Sequence, residues 1–242
     1  MQLGLPRVLQ VRELASEPGL VHGFSTLEIG SLGVTNAPDP ARVQDNRQAF
    51  AHALGFRAEI VTIAGAVHGA QVGRIDRPVG VADGVDALVT DRPGVPLFAT
   101  YADCYPILLY GPDPRCIGLV HAGWRGTAAG VTPAAVAALK REYGCPPEAL
   151  KAGIGPGICR RCYEVGSEVA ARFGSEFVET DSRGRLLLDL AGANRQALIE
   201  AGVRREWIHQ IGVCTKETAY LPSHRRSADG QRFGCLLALG PQ

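Results

Sequence analysis

The chain lacks an excess of charge: 25 lysines and arginines stand against 24 aspartates and glutamates, a formal net charge of +1. That balance gives no electrostatic footprint for nucleic acid or an anionic membrane surface, and it leaves small neutral or singly charged ligands open. No uninterrupted apolar stretch approaches the length of a membrane span. The first residues, Met1 to Pro18, mix Arg7, Arg12, Glu13 and Glu17 among apolar ones, so no secretory-signal core is legible and a cytoplasmic location is expected. Cysteines number seven, an odd count, and they are scattered. This argues against a secreted disulfide framework and for reduced thiols. No internal repeat, low-complexity tract or linker divides the sequence. Residues 1–242 are therefore expected to form one domain, with 46% hydrophobic residues to build its core.

What the chain does have is a dense stretch from Ala99 to Gly130. Two apolar runs, Leu97 to Thr100 and Ile107 to Tyr110, flank Ala102-Asp103-Cys104-Tyr105-Pro106. After a turn at Gly111-Pro112-Asp113-Pro114, a buried-strand pattern, Ile117 to Val120, delivers His121-Ala122-Gly123-Trp124-Arg125-Gly126-Thr127. A helix following Thr127 would turn the amides of Gly126 to Ala128 into an anion site beside Arg125. Upstream, His68 lies in Val67-His68-Gly69-Ala70-Gln71-Val72. Two histidines and one cysteine, each expected at a strand end, suit a catalytic zinc site with three protein ligands and one open position. They are far apart in sequence, so spacing alone does not establish them.

Around this centre the elements read as follows. Leu20 to Thr26 is a strand and Ile29 to Pro40 a loop. Asp39-Pro40 supplies an N-cap and a first-turn proline for a helix to about Leu54. Its apolar residues Val43, Phe50 and Leu54 share a face, and Arg47 sits in the middle of it, either snorkelling to water or binding an anion in a pocket. Ala58 to Ala64 and Ala66 to Ile75 read as strands, the second carrying His68, with Arg77 to Gly84 as loop and Gly84 to Thr90 as strand. Thr132-Pro133 is expected to cap a helix to Tyr143, and Leu150 to Gly155 to form a strand. Helices follow over about Ser167 to Phe173 and, capped by Asp189, over Leu190 to Ala201. Trp207 to Cys214 and Phe233 to Leu239 close the chain as strands. Cys159-x-x-Cys162 is a weak signal, since no second such pair and no histidine lies near it in sequence. Ser223-His224-Arg225-Arg226 is either a solvated surface or, beside a pocket, a phosphate holder.

In order, V-H-G-A-Q-V, D-A-L-V-T-D, A-D-C-Y-P-I-L-L, G-L-V-H-A-G-W-R-G-T, G-P-G-I-C-R-R-C-Y-E-V-G and S-H-R-R resemble the signatures of one bacterial family. This is the laccase-domain family, formerly described as multicopper polyphenol oxidases and regarded as zinc-dependent purine nucleoside phosphorylases with adenosine deaminase side activity. The resemblance spans His22 to Gly234. It implies an α+β fold, one layered domain of mixed sheets flanked by helices in an α/β/β/α arrangement. It also implies His68, Cys104 and His121 as metal ligands, with Arg47 and Arg125 contacting substrate. The expected partners are a purine nucleoside and phosphate, and the expected assembly is a monomer or weak dimer. The sequence departs from the family pattern at Leu27, Tyr101, Tyr105, Cys159 to Arg161 and Leu221-Pro222, which bears on pocket shape and not on the metal ligands.

Several chemistries compete. Phosphorolysis of adenosine, inosine, guanosine or methylthioadenosine needs cations and amides around phosphate. Deamination would need a metal-activated water, yet His68 is followed by Gly69-Ala70 without the H-x-E glutamate of the familiar nucleobase deaminases. A multicopper oxidase needs many imidazoles, and the chain has six histidines, no two of them two residues apart. Copper in vitro would then be an adventitious guest of the zinc site. A Cys104 and His121 hydrolase, or a non-enzymatic peptidoglycan-editing or binding protein with structural zinc, completes the alternatives.

Overall fold

The computed structural model describes residues 7–34 and 39–240. In chain order the strands are β1 (Val8–Leu9), β2 (Leu20–Ser25), β3 (Thr62–Gly65), β4 (Val72–Arg74), β5 (Val81–Asp83), β6 (Ala87–Thr90), β7 (Leu97–Tyr101), β8 (Tyr105–Pro112), β9 (Arg115–Ala122), β10 (Lys151–Ile154), β11 (Glu164–Val165), β12 (Val178–Thr180), β13 (Leu186–Leu188), β14 (Ile208–Gln210) and β15 (Phe233–Leu239). The helices are α1 (Arg12–Ala15), α2 (Pro40–Ala53), α3 (Trp124–Ala128), α4 (Val131–Tyr143), α5 (Ser167–Ala170) and α6 (Leu190–Glu200).

Two six-stranded mixed sheets form the body. One has the order β1-β2-β15-β7-β3-β5 and the other β14-β10-β8-β9-β6-β4, while β11-β13-β12 make a small third sheet. Side-chain alternation explains why the two large sheets stack. Along β9, Ile117 and Leu119 face the partner sheet, while Cys116, Val120 and Ala122 face the opposite way. In the other sheet, Leu97, Ala99 and Tyr101 of β7 and Phe233, Cys235, Leu237 and Leu239 of β15 meet them. A strand apolar on both faces is one buried on both sides. The outer faces are covered by helices: α4 and α6 pack on the β8–β9 sheet, and Phe50 and Ala51 of α2 pack on Phe98, Leu236 and Ala238. The result is the α/β/β/α layering that the family resemblance implied.

Helix α2 begins as its sequence dictates, with the Asp39 carboxylate accepting the Arg42 amide at 3.0 Å and proline in the first turn. Helix α6 repeats the device, the Asp189 side chain accepting the Gly192 amide at 2.8 Å. Of the loop expected over Ile29 to Pro40, residues 35–38 lie outside the described residues.

Other expectations are corrected. His68 is not on a strand: residues 66–71 form a turn between β3 and β4, because the Asp86 carboxylate captures the amides of Val67, His68 and Gly69 that a sheet ladder would have used. The Arg77 to Gly84 loop contains β5, a short exposed edge strand parallel to β3 with no apolar run to announce it. Helix α4 is capped by Gly130 in the left-handed region (φ 82°) and not by Thr132, whose hydroxyl is spent on Asn194 at 2.6 Å. The helix expected after Thr127 begins earlier, at Trp124, so Thr127 and Ala128 lie inside it and of the three only the Gly126 amide belongs to its open first turn. The helix at Ser167 ends at Ala170, and the strand expected over Trp207 to Cys214 is confined to β14. Among the described residues no helix is long and apolar enough to cross a membrane.

Candidate metal centre and its cleft

Three segments far apart in sequence converge at the ends of the stacked sheets. Cys104 sits at the junction of β7 and β8, His121 is the penultimate residue of β9, and His68 lies in the turn after β3. The antiparallel pairing of β8 with β9 sets Pro106 opposite His121, which brings the cysteine loop beside the histidine. Donor atoms of His68, Cys104 and His121 all lie within 4.8 Å of one another, and the two imidazoles meet edge to face at 4.9 Å between centroids. His121 is buried, Cys104 is half-buried and His68 is exposed toward the opening.

Asp86, which the sequence reading treated only as part of a strand, organises both histidines. Its carboxylate accepts the amides of Val67, His68 and Gly69 at 3.2, 2.8 and 2.7 Å, holding His68 in the left-handed region at φ 62°, and Oδ1 lies 3.2 Å from His121 Nδ1. A non-glycine residue at positive φ costs energy and persists where its surroundings over-determine it. Asp103 is a second overlooked residue. It too has a positive φ, 83°, and its carboxylate accepts the Thr215 hydroxyl at 2.6 Å and the Arg225 amide at 2.7 Å, fixing the turn that carries Cys104.

Electrostatics make this a thiolate–imidazole site. Burial opposes the Cys104 thiolate, but the imidazoles of His121 and His68 outweigh burial and bring the thiol down to about 6. Burial likewise opposes a charged His121, yet Cys104 and Asp86 push it up to about 9. Asp86 resists its own desolvation because His121 and the amides of Gly69 and Val67 hold it below the usual carboxylate range. A proton shared among these groups stands where a divalent cation would stand.

The residues fit a metal ion of the zinc class. Two imidazoles and a thiolate are its preferred donors, the carboxylate on His121 Nδ1 leaves Nε2 to ligate, and a three-residue set keeps one position open. Room is left by Gly123, where a Cβ would come within 2.8 Å of Cys104 Sγ and 3.2 Å of His68 Cδ2. A multicopper centre does not fit: among the described residues only one candidate group contains histidine, and it has two.

The centre opens into a cleft of about 690 Å³. Arg47, Arg125, His224 and Arg225 line it, together with Trp124 and Tyr163. Arg47 lies on the Phe98 ring at 5.5 Å and donates from Nε to the Leu32 carbonyl at 2.9 Å; burial lowers its pKa. Arg125 lies over Trp124 at 4.4 Å. Neither arginine has a carboxylate partner among the described residues. Arg225 faces the cleft over Tyr163 at 4.9 Å, whereas Arg226 is tied to the carbonyls of Thr215, Lys216, Thr218 and Leu221 and is structural.

Comparison with known proteins agrees with this architecture. The sequence pattern of the family described as multi-copper polyphenol oxidoreductase laccase matches residues 21–239. The chain belongs to this family. A protein of Deinococcus radiodurans named purine nucleoside phosphorylase is 44% identical over 83% of this chain and 79% of its own length. A protein from an unknown prokaryotic organism, named adenosine deaminase RL5, is 31% identical over 80% of each chain. The crystal structure of YlmD from Geobacillus stearothermophilus superposes with a TM-score of 0.90 at 30% identity, covering 99% of this chain and 98% of that one.

Proposed function

We propose that this chain is a zinc-dependent phosphorylase that cleaves purine ribonucleosides (adenosine, inosine, guanosine or methylthioadenosine) with phosphate, giving the free base and ribose 1-phosphate. One observation carries the reading: His68, Cys104 and His121 converge on one point in a cleft that Arg47 and Arg125 also line, neither arginine having a carboxylate partner among the described residues. Similarity to relatives named purine nucleoside phosphorylase supports it. The cleft volume is in the range of small-molecule sites.

When bound at the three ligands, the ion supplies Lewis acidity toward an oxygen of phosphate or ribose. The chain's own residues do the rest. Arg47, half-buried and with its terminal nitrogens hydrogen-bonded to none of the described residues, holds phosphate where screening by water is reduced. Arg125, stacked over Trp124, adds a second cation to the same cleft. Trp124 and Tyr163 offer apolar surface to the purine ring. Phosphate held in line with the anomeric carbon forms the new C–O bond as the C–N bond to the base breaks, and the departing base takes up a proton. The arginines stabilise the oxocarbenium-like pair by keeping its anionic partner in contact.

Adenosine deamination in the same cleft is a second reading, supported by the relative named adenosine deaminase. A cysteine hydrolase is a third: Cys104, His121 and Asp86 have the outline of a nucleophile, base and orienting acid. Against it stands His68, whose strained turn delivers a second imidazole to the same sulfur, an expense a hydrolase does not need. The deciding experiment incubates zinc-loaded protein with adenosine, with and without phosphate, and identifies products by mass spectrometry. Phosphate-dependent adenine and ribose 1-phosphate support phosphorolysis, phosphate-independent inosine supports deamination, and no turnover of any nucleoside rejects both.

A further inference from the structure

The structure holds a second ligand set, separate from the first. The loop 155–163 and the segment after β14 run side by side, joined by a parallel bridge between Gly157 and Cys214 and by the Thr215 amide on the Gly157 carbonyl at 3.0 Å. This brings Cys159 and Cys162 of one segment against Cys214 and Glu217 of the other. One ligand atom from each of the four residues lies within 4.8 Å of all the others. In sequence, Cys159-x-x-Cys162 had no visible partner, because its complement is a Cys-x-x-Glu pair more than fifty residues later. We propose that Cys159, Cys162, Cys214 and Glu217 form a second metal site, which binds a structural zinc ion in a closed tetrahedron of three thiolates and one carboxylate.

Three features beyond proximity point to a cation. First, the Cys214 sulfur accepts the Cys159 amide at 3.3 Å. An amide directed at a sulfur stabilises the thiolate that a metal requires. Second, the exposed Glu217 carboxylate reaches the cysteines: Oε1 accepts from Cys162 Sγ at 3.3 Å, while Arg161 holds both oxygens of the same carboxylate, Nε on Oε1 at 2.6 Å and Nη2 on Oε2 at 2.5 Å. A guanidinium on a ligating carboxylate orients it and offsets the negative charge that three thiolates and a carboxylate leave around a divalent ion. Third, all four positions are filled by protein, the closed set of a structural site, in contrast to the open three-ligand set at His68, Cys104 and His121. Three thiolates select zinc over magnesium or calcium.

Such an ion would clamp the wall of the cleft. Ile158 and Tyr163 come from the first segment and both line the cleft; Ile158 also accepts the Tyr105 hydroxyl at 2.8 Å. Thr215, in the second segment, bonds Asp103 beside Cys104. The second site therefore ties the segment bearing the cleft wall to the turn bearing the first site, and it stands independently of which reaction the cleft performs.

The test separates the two centres. Full-length Cys104→Ala, reconstituted with cobalt(II), is expected to bind one equivalent with a thiolate-to-cobalt charge-transfer band and the intense visible bands of a tetrahedral ion, all displaced by zinc. The double variant Cys104→Ala, Cys162→Ser is expected to lose these bands. Wild-type protein loaded with zinc provides the second measurement: Cys159 and Cys162 resist alkylation, mapped by peptide mass spectrometry, and become labelled after chelation. The proposal is overturned if Cys104→Ala binds no cobalt through sulfur, if those two thiols alkylate equally with and without zinc, or if a disulfide joins any two of the three cysteines. Should Cys104→Ala fail to fold, the alkylation map of the wild-type protein decides.

Discussion

Asp86 Oδ1 lies 3.2 Å from His121 Nδ1, and the same carboxylate gathers the amides on either side of His68. One side chain therefore sets the direction of one metal-facing imidazole and the backbone position of the other. We expect Asp86→Asn to weaken zinc binding by about 10- to 100-fold, the usual effect of losing a carboxylate behind a ligating histidine. Competition with a chromophoric chelator measures it. Unchanged affinity would reduce Asp86 to a staple for the turn.

Removal of the metal distinguishes the enzymatic readings. A Cys104 nucleophile would work without metal and would be liberated by chelation, whereas a phosphorylase that depends on the first site falls silent. We expect activity to vanish on chelation and return with zinc, and Cys104→Ala to lose the metal of this site while its circular dichroism spectrum stays that of the wild type. Full zinc occupancy at His68 and His121 in that variant would remove Cys104 from the ligand set.

Legibility in the sequence followed the range of the interaction. Cys104 and His121 stood out because each ends a short apolar run, and strand periodicity is a local signal. The buried strands were readable for the same reason, since β7, β8, β9 and β15 are apolar on both faces, whereas their stacking into two sheets came from the family resemblance and not from any local pattern. Asp86 was invisible as an organiser, since its partners lie 17 to 35 positions away and a single aspartate before a strand carries no pattern. The His68 turn was misread as strand because that same carboxylate replaces the ladder bonds, a tertiary effect overriding an apolar stretch. Glu217 escaped notice for a like reason. A carboxylate three positions after a cysteine means nothing until Cys159 and Cys162 are seen beside it.

The two arginines of the cleft are expected to differ. Arg47 is half-buried and stacked on Phe98, so its bond to phosphate would be screened little; Arg125 is exposed, and water competes with it. A charge-assisted hydrogen bond contributes about 1.5–3 kcal/mol, or roughly 10- to 150-fold. Arg47→Gln is accordingly expected to raise KM for phosphate by at least about tenfold with little change in KM for nucleoside, and Arg125→Gln to do so more weakly. Steady-state kinetics with each substrate varied in turn gives the answer. Equal effects on both substrates would show that Arg47 shapes the cleft and does not hold the anion.

His22 gives the fold an acid sensitivity separate from the metal centre. It is fully buried on β2, with Nε2 accepting the Val11 amide at 2.9 Å and Nδ1 without a hydrogen-bond partner among the described residues. Desolvation by burial brings its pKa from 6.5 down to about 4. Between those values the unfolded chain binds a proton that the folded chain refuses, so the stability from neutral His22 is complete above about 6.5 and lost as pH falls toward about 4. At about 1.4 kcal/mol per pH unit the loss is about 3 kcal/mol. Urea unfolding across this range is expected to show a shallower pH dependence for His22→Gln than for wild type; parallel curves would refute the assignment.

Gly123 offers a way to damage the first centre while leaving the backbone of the fold in place. Its backbone is extended, φ −82° and ψ 170°, a conformation any residue adopts, so alanine there carries no backbone strain. The added Cβ, however, would stand 2.8 Å from Cys104 Sγ and 3.2 Å from His68 Cδ2. Both contacts are below van der Waals separation, and relief requires the sulfur or the imidazole to move away from the common point on which the ligand atoms converge. Gly123→Ala is expected to cost the metal-free protein about 1–3 kcal/mol, the usual cost of overpacking a buried position, and so to melt roughly 2 to 12 degrees below metal-free wild type. Its zinc affinity and its activity are expected to fall together by more than tenfold. Calorimetry on the metal-free proteins and zinc titration separate the two effects; a variant that binds zinc as wild type does would show that the ion sits away from the space Gly123 leaves open, and the three-ligand centre would have to be redrawn.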